Sequence, residues 1–241
     1  MGKKNFSLLV LVCSLLASTV SAQWKVGVQA GYTNNSLSAN SGYAYDRTYG
    51  SRGGFTVGVP VRYEFVDWFA LQAEVSYTQK NYEWFRNGHY ADIQSQLTNG
   101  YMQLPVFARF SFGGEKLRGF LNAGAYVGYW ASSRIKGRQS QYFYGSVDPD
   151  AKAPYYFDEK VPFDSRRDNR FDGGLSCGVG IQYQLTDRIQ ILAEGRYYYG
   201  LTDLQKEYML RQYHRYNNTF VLQVGCMFTI GRKGKENNKF N

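Results

Sequence analysis

Residues 55–65 read FTVGVPVRYEF and residues 69–78 read FALQAEVSYT, with only Val66, Asp67 and Trp68 between them. In the first stretch Phe55, Val57, Val59, Val61, Tyr63 and Phe65 alternate with Thr56, Gly58, Pro60, Arg62 and Glu64. In the second, Phe69, Leu71, Ala73, Val75 and Tyr77 alternate with Ala70, Gln72, Glu74, Ser76 and Thr78. Successive side chains of a strand point to opposite faces, so a period of two gives each stretch one apolar and one polar face. The three-residue link then makes the pair a β-hairpin.

The same alternation recurs on both sides of this hairpin, eight times in all. The remaining apolar faces begin with Trp24 to Tyr32, Leu104 to Phe112 and Leu121 to Tyr129, and continue with Leu175 to Tyr183, Ile189 to Tyr199 and Phe220 to Ile230. Each segment has about ten residues, the length a tilted strand needs to cross a bilayer. Short links at 66–68, 113–116 and 184–187 alternate with long ones at 33–54, 79–100, 131–173 and 200–218. Strands of this length joined alternately by short turns and long loops predict an all-β fold: an eight-stranded antiparallel up-and-down transmembrane β-barrel with short periplasmic turns and long extracellular loops. Aromatic residues cluster at both ends of the apolar faces, among them Trp24, Trp68 and Phe112 near the turns and Tyr32, Tyr129 and Tyr199 near the loops, as membrane–water boundaries favour.

A soluble barrel or sandwich would show the same period with its apolar face inward. The polar face argues against it, because it carries Gly27, Gly31, Gly58, Gly124, Gly128, Gly178, Gly180 and Gly225. Glycine weakens a strand and marks close approach rather than a solvated exterior. A mean hydropathy of −0.46 and the lack of any apolar run of 18 residues beyond the N-terminal region exclude a helical membrane protein.

Residues 1–22 read as a cleavable secretory signal: Lys3 and Lys4, an apolar stretch from Phe6 to Ala17, and small residues up to Ala22. Val12 before Cys13 is too bulky for the lipoprotein pattern. The barrel then occupies residues 23–230, and 231–241 form a polar, basic periplasmic tail. Loss of the leader reduces the 28 basic residues to 26 against 19 acidic ones, a net of +7. The bases are scattered, which together with export excludes nucleic acid as a partner. Cys177 and Cys226 fall on the lipid face two strands apart, about 9.6 Å, beyond disulfide reach, and are expected to be free thiols.

With the polar face inward, Lys25, Arg62, Arg109 and Arg196 meet Glu64, Glu74 and Glu194 inside the barrel. An eight-stranded barrel is only wide enough for side chains, and buried charges persist when paired. The expectation is a ladder of ion pairs with trapped water and a closed lumen. Arg62 should lie opposite Gln72 and diagonal to Glu74, with Arg109 and Glu194 at similar depth.

The runs YMQLPVFARF at 101–110, FLNAGAYVG at 120–128, DGGLSCGVG at 172–180 and AEGRYYYGLTD at 193–203 resemble the PorT-like outer-membrane β-barrel family. The resemblance covers nearly all of residues 23–230. It implies the barrel and, because some members are accessory parts of a protein-secretion apparatus, a secretion-system partner as an alternative role. The terminal strand departs from the aromatic ending of many barrels, so recognition by the insertion machinery would fall to Phe228 or Ile230.

Some small barrels modify lipids, which makes catalytic residues worth seeking. His89 and His214 lie in loops, Ser132 and Ser133 top the fifth strand, and no spacing joins them as nucleophile and base. Asp164, Asp168 and Asp172, interrupted by Arg166, Arg167 and Arg170, read as a solvated loop face without a calcium-loop pattern. No metal-ligand spacing or cofactor motif is present. In the 43-residue link 131–173, Arg134, Lys136 and Arg138 with Tyr142, Tyr144, Tyr155 and Tyr156 suit a surface partner or lipopolysaccharide phosphates. The equal alternative is a hairpin extending strands five and six above the membrane. The sequence thus predicts a non-enzymatic outer-membrane barrel of a Gram-negative cell, in contact with lipid and lipopolysaccharide.

Overall fold

The computed structural model describes residues 23–39, 47–87, 93–139, 155–207 and 214–230. The predicted signal peptide and basic tail lie outside them. The described residues form ten antiparallel strands: β1 (Gln23–Ala39), β2 (Arg47–Val66), β3 (Phe69–Gln79), β4 (Tyr82–Arg86), β5 (Gln94–Gly113), β6 (Leu117–Gln139), β7 (Tyr155–Lys160), β8 (Phe171–Gln184), β9 (Ile189–Gly200) and β10 (Arg215–Ile230).

Eight of them close a ring in the order β1, β2, β3, β5, β6, β8, β9, β10 and back to β1. The seam is long, running from Trp24 opposite Ile230 to Ala39 opposite Arg215. Closure gives every strand two neighbours, so no sheet edge is left unpaired through the ring. β4 and β7 are not additional staves. β4 carries β3 onward past Lys80 and Asn81 between the upper parts of β2 and β5, and β7 pairs with the upper part of β6 above β8.

The short links fall where the alternation stops, after Val66, Gly113 and Gln184. Most of the long links are shorter than the sequence implies. Thr33 to Ala39, Gln94 to Asn99 and Ala131 to Gln139 are strand, because backbone pairing continues where the apolar face has ended. The link 131–173 accordingly takes the ribbon form, with Gly137 opposite Phe157 and Arg138 opposite Tyr156. Tyr142 and Tyr144 lie outside the described residues.

The faces are as the glycine argument requires. Val28, Val59, Val75, Leu121, Val179 and Leu222 are exposed on the outer wall, while Gln29, Gln72, Arg62, Glu74 and Arg196 are buried inside. Cys177 and Cys226 are free thiols on β8 and β10, with β9 between them. At the turn end the outer aromatics touch one another: Trp24 and Tyr63 at 4.7 Å, Tyr63 and Phe65 at 4.7 Å, Trp68 and Phe110 at 6.3 Å between ring centres. A girdle of this kind is held by ring–ring contact as well as by its boundary position.

Candidate functional site

The lumen is the candidate site, and its side chains form three tiers. At the turn end Lys25 Nζ lies 2.8 Å from Glu64 Oε1, and Arg62 Nη1 lies 3.7 Å from the same oxygen. Arg62 is opposite Gln72 in register and donates from Nε to Gln72 Oε1 at 3.1 Å, with Nη1 reaching Gln190 Oε1 at 3.0 Å. Arg109 donates to Gln182 Oε1 and stacks on Phe120.

The middle tier centres on Arg196. Its Nε and Nη2 grip both oxygens of Glu194 at 3.0 and 2.9 Å, and its Nη1 reaches Glu74 Oε2 at 3.0 Å. Glu194 also accepts from Asn122 and Gln223, and the guanidinium lies 4.4 Å from the centre of the Phe107 ring. Two-pronged pairing with further hydrogen bonds is the condition under which buried charges are tolerated. Gly58 and Gly178 make the room. A Cβ on Gly58 would stand 2.8 Å from Glu74 Oε1, and one on Gly178 would stand 2.6 Å from Glu194 Oε1.

The third tier, towards the loops, holds a pair the sequence reading missed. Lys80 Nζ is 2.6 Å from Asp172 Oδ2 and lies over Tyr126 at 4.5 Å and Tyr101 at 5.3 Å from the ring centres. Both partners are fully enclosed. Asp172 is therefore a lumen residue and not part of a solvated acidic run, and Asp168 of the same run is also buried, held by Arg167 Nε at 2.7 Å. Strand parity was the available signal: Lys80 continues the inward positions Glu74, Ser76 and Thr78, and Asp172 those of Ser176 and Gly178.

Above Lys80 the mouth is covered by Leu37, Tyr82, Tyr101, Trp130 and Leu204, with Phe163 at 5.0 Å from Trp130. Polar groups beneath this cover bond along the seam, as in Asn35 to Asn217 at 3.2 Å, and across the barrel, as in Asn217 Nδ2 donating to the Tyr101 hydroxyl at 3.3 Å. Burial pushes the Tyr82 hydroxyl up to about 12.

The lumen set Lys25, Arg62, Glu64, Glu74, Arg109, Glu194 and Arg196 is thus brought together, though as clusters rather than a continuous ladder: Arg109 has a glutamine and a ring in place of a carboxylate. The loop set separates from it. A bulge between Trp130 and Ser132 on β6 reverses the parity above it, so Arg134 and Lys136 face outward and Arg134 pairs with Asp158 at 2.6 Å. That pairing holds the Asp158 carboxyl below its ordinary value. Tyr155 and Tyr156 lie on the β7 side of the same ribbon.

His89 falls outside the described residues. His214 Nδ1 lies 2.8 Å from Asp203 Oδ2, whereas Ser133 donates to Asn99 at 2.8 Å. His214 and Ser133 are not hydrogen-bonded to each other. Among the described residues no three His, Cys, Asp or Glu side chains gather as metal ligands.

A closed ring with an apolar outer wall, aromatic girdle and charge-filled interior defines a small membrane-spanning β-barrel. The chain belongs to the outer membrane protein beta-barrel domain family, whose pattern matches residues 17–206. It is accordingly an outer-membrane barrel protein. No curated protein matches its sequence. Among solved structures it is similar to OprG of Pseudomonas aeruginosa, at 10% identity over 88% of this chain and 97% of that one, with a TM-score of 0.48. It is also similar to Neisserial surface protein A, at 14% identity over 85% and 97%, TM-score 0.42. Ail, the attachment invasion locus protein of Yersinia pestis, aligns at 14% identity over 86% and 98%, TM-score 0.40.

Proposed function

We propose that this chain is a non-enzymatic surface protein of a Gram-negative outer membrane, exported by the cleavable signal at residues 1–22. Its lumen is closed, and its function resides in the extracellular ribbons. The filled lumen carries this reading: Arg62, Arg196 and Lys80 each occupy the axis at a different depth and each is enclosed. An eight-stranded ring leaves no second path beside such side chains.

The ribbons supply the contact surface. Lys136, Gly137 and Arg138 line a shallow cleft with Gln94, Gln96 and Tyr156, and Tyr156 is 69% exposed. Cationic and aromatic groups side by side suit lipopolysaccharide phosphates or an anionic surface partner. Insertion would proceed through the barrel-insertion machinery. A role as an accessory of a secretion apparatus rests on the PorT-like resemblance, and a stoichiometric secretion component recovered from crosslinked membranes would favour it.

Planar-bilayer recording tests the closed lumen. Purified protein refolded into the bilayer is expected to give a silent trace. Stable, large openings in the wild type would defeat the reading.

A further inference from the structure

Arg109 on β5 is fully buried, with its guanidinium carbon 3.3 Å from the centre of the Phe120 ring. The ring covers one face of the guanidinium, so its N–H groups act along the edges. Nη2 donates to Gln182 Oε1, while Nε and Nη1 are buried without a partner. Arg62, also fully buried, reaches the same Gln182 oxygen from Nη1 at 3.4 Å, and its own Nη2 is unpartnered. Two guanidinium groups therefore converge on one region of the lumen with three unused donors.

The charges around them do not balance. Lys25 and Arg62 share Glu64, and Arg196 takes both Glu74 and Glu194. Among the described residues no carboxylate oxygen forms an ion pair with Arg109. Four cations against three carboxylates leave one positive charge in excess, and Arg118 at the turn-end mouth adds a half-exposed cation whose Nε is also unpartnered. Neutral hydrogen-bond acceptors can satisfy the N–H groups, but they leave the excess charge in a low-dielectric interior, where an uncompensated ion is strongly unfavourable.

We propose that the edges of Arg109 and Arg62 hold a small monovalent inorganic anion of the halide or nitrate class, bound inside the barrel near its periplasmic end. The single excess charge among the lumen groups other than Arg118 sets the valence, since Arg118 is half-exposed and screened by water. The side-chain-wide interior sets the size and excludes organic anions. Access is from the periplasmic mouth past Glu64, whose side chain is a quarter exposed.

Bromide is the probe. Crystals of the detergent-refolded wild-type protein grown with sodium bromide should show an anomalous peak within hydrogen-bond distance of the Arg109 guanidinium. In solution, replacing sodium gluconate by sodium chloride at constant ionic strength should raise the unfolding midpoint by about 3–5 °C and then saturate. Arg109→Gln should abolish that rise, whereas Arg134→Gln, on the outer ribbon, should keep it. Absence of the bromide peak overturns the site, as does a chloride response in Arg109→Gln equal to that of the wild type. Should Arg109→Gln fail to fold, the bromide map and the wild-type chloride series decide by themselves.

Discussion

Arg196 is the residue on which the middle of the lumen depends, because among the described residues two carboxylates have no other cation at ion-pair distance. Replacing it by methionine keeps much of the volume over Phe107 but leaves Glu74 and Glu194 charged, buried and facing each other. Breaking a buried pair in this way costs about 3–5 kcal/mol. Urea unfolding of the protein refolded into phospholipid vesicles should show a loss of that size for Arg196→Met. Adding Glu74→Gln and Glu194→Gln to it should recover a large part, since removing both signs leaves no uncompensated ion. An unchanged urea midpoint for the single variant would mean that the hub is not structural. Arg134 and Asp158 form the contrasting case: both face water on the ribbon, where ion pairs are screened and contribute little.

At the scale of elements, the segment between β7 and β8 is tied together by the buried Asp168 carboxylate. Asp168 accepts from Arg167 and from the Asp164 amide at 2.8 Å, and its backbone bridges to Gln205. Burial disfavours the charged form, but the Arg167 and Asp164 hydrogen bonds outweigh it, so the carboxyl sits below its ordinary value. A carboxyl lowered in the folded state contributes stability above its unfolded value, about 3.9, and loses it as pH falls through the folded one. Amide exchange of residues 164–168 and 206, corrected for intrinsic rates, should therefore stay protected from pH 7 to 5 and open only below about pH 4. Opening already above pH 5 would mean that the Asp168 carboxylate does not order the segment. This segment also shows where sequence reading stops. The eight bilayer-crossing strands were legible because an apolar residue marks every second position from Phe55 to Phe65 or from Leu175 to Tyr183. Thr33 to Ala39 and Gln94 to Asn99 pair just as well but present polar groups on both faces, so nothing marks them as strand. The register of Arg62 with Gln72 was legible from the three-residue turn, and strand parity alone carries Lys80 and Asp172 inward, whereas the Ala131 bulge depends on the pairing of β6 with β5, which local pattern does not encode.

For the whole molecule, one choice of face governs both the wall and the lumen. Val179 on β8 is 58% exposed, flanked in register by Leu121 on β6 and Gly195 on β9. Its immediate neighbours Gly178 and Gly180 face the axis and make room for Glu194 and the Phe120 ring. Turning β8 over would place those glycines in lipid and drive Val179 into the charge network, so neither half of the pattern can change alone. The test is to put a charge on the wall at mid-strand. Val179→Arg should lose about 2–4 kcal/mol of folding stability in vesicles, the penalty for arginine near the bilayer midplane, read from the urea midpoint of the heat-modifiable folded band. The same variant in a short-chain detergent, where the side chain can reach the micelle surface, should lose much less. Equal midpoints for Val179→Arg and wild type in vesicles would mean that this wall does not meet hydrocarbon, and the inward assignment of every charge from Lys25 to Arg196 would fail with it.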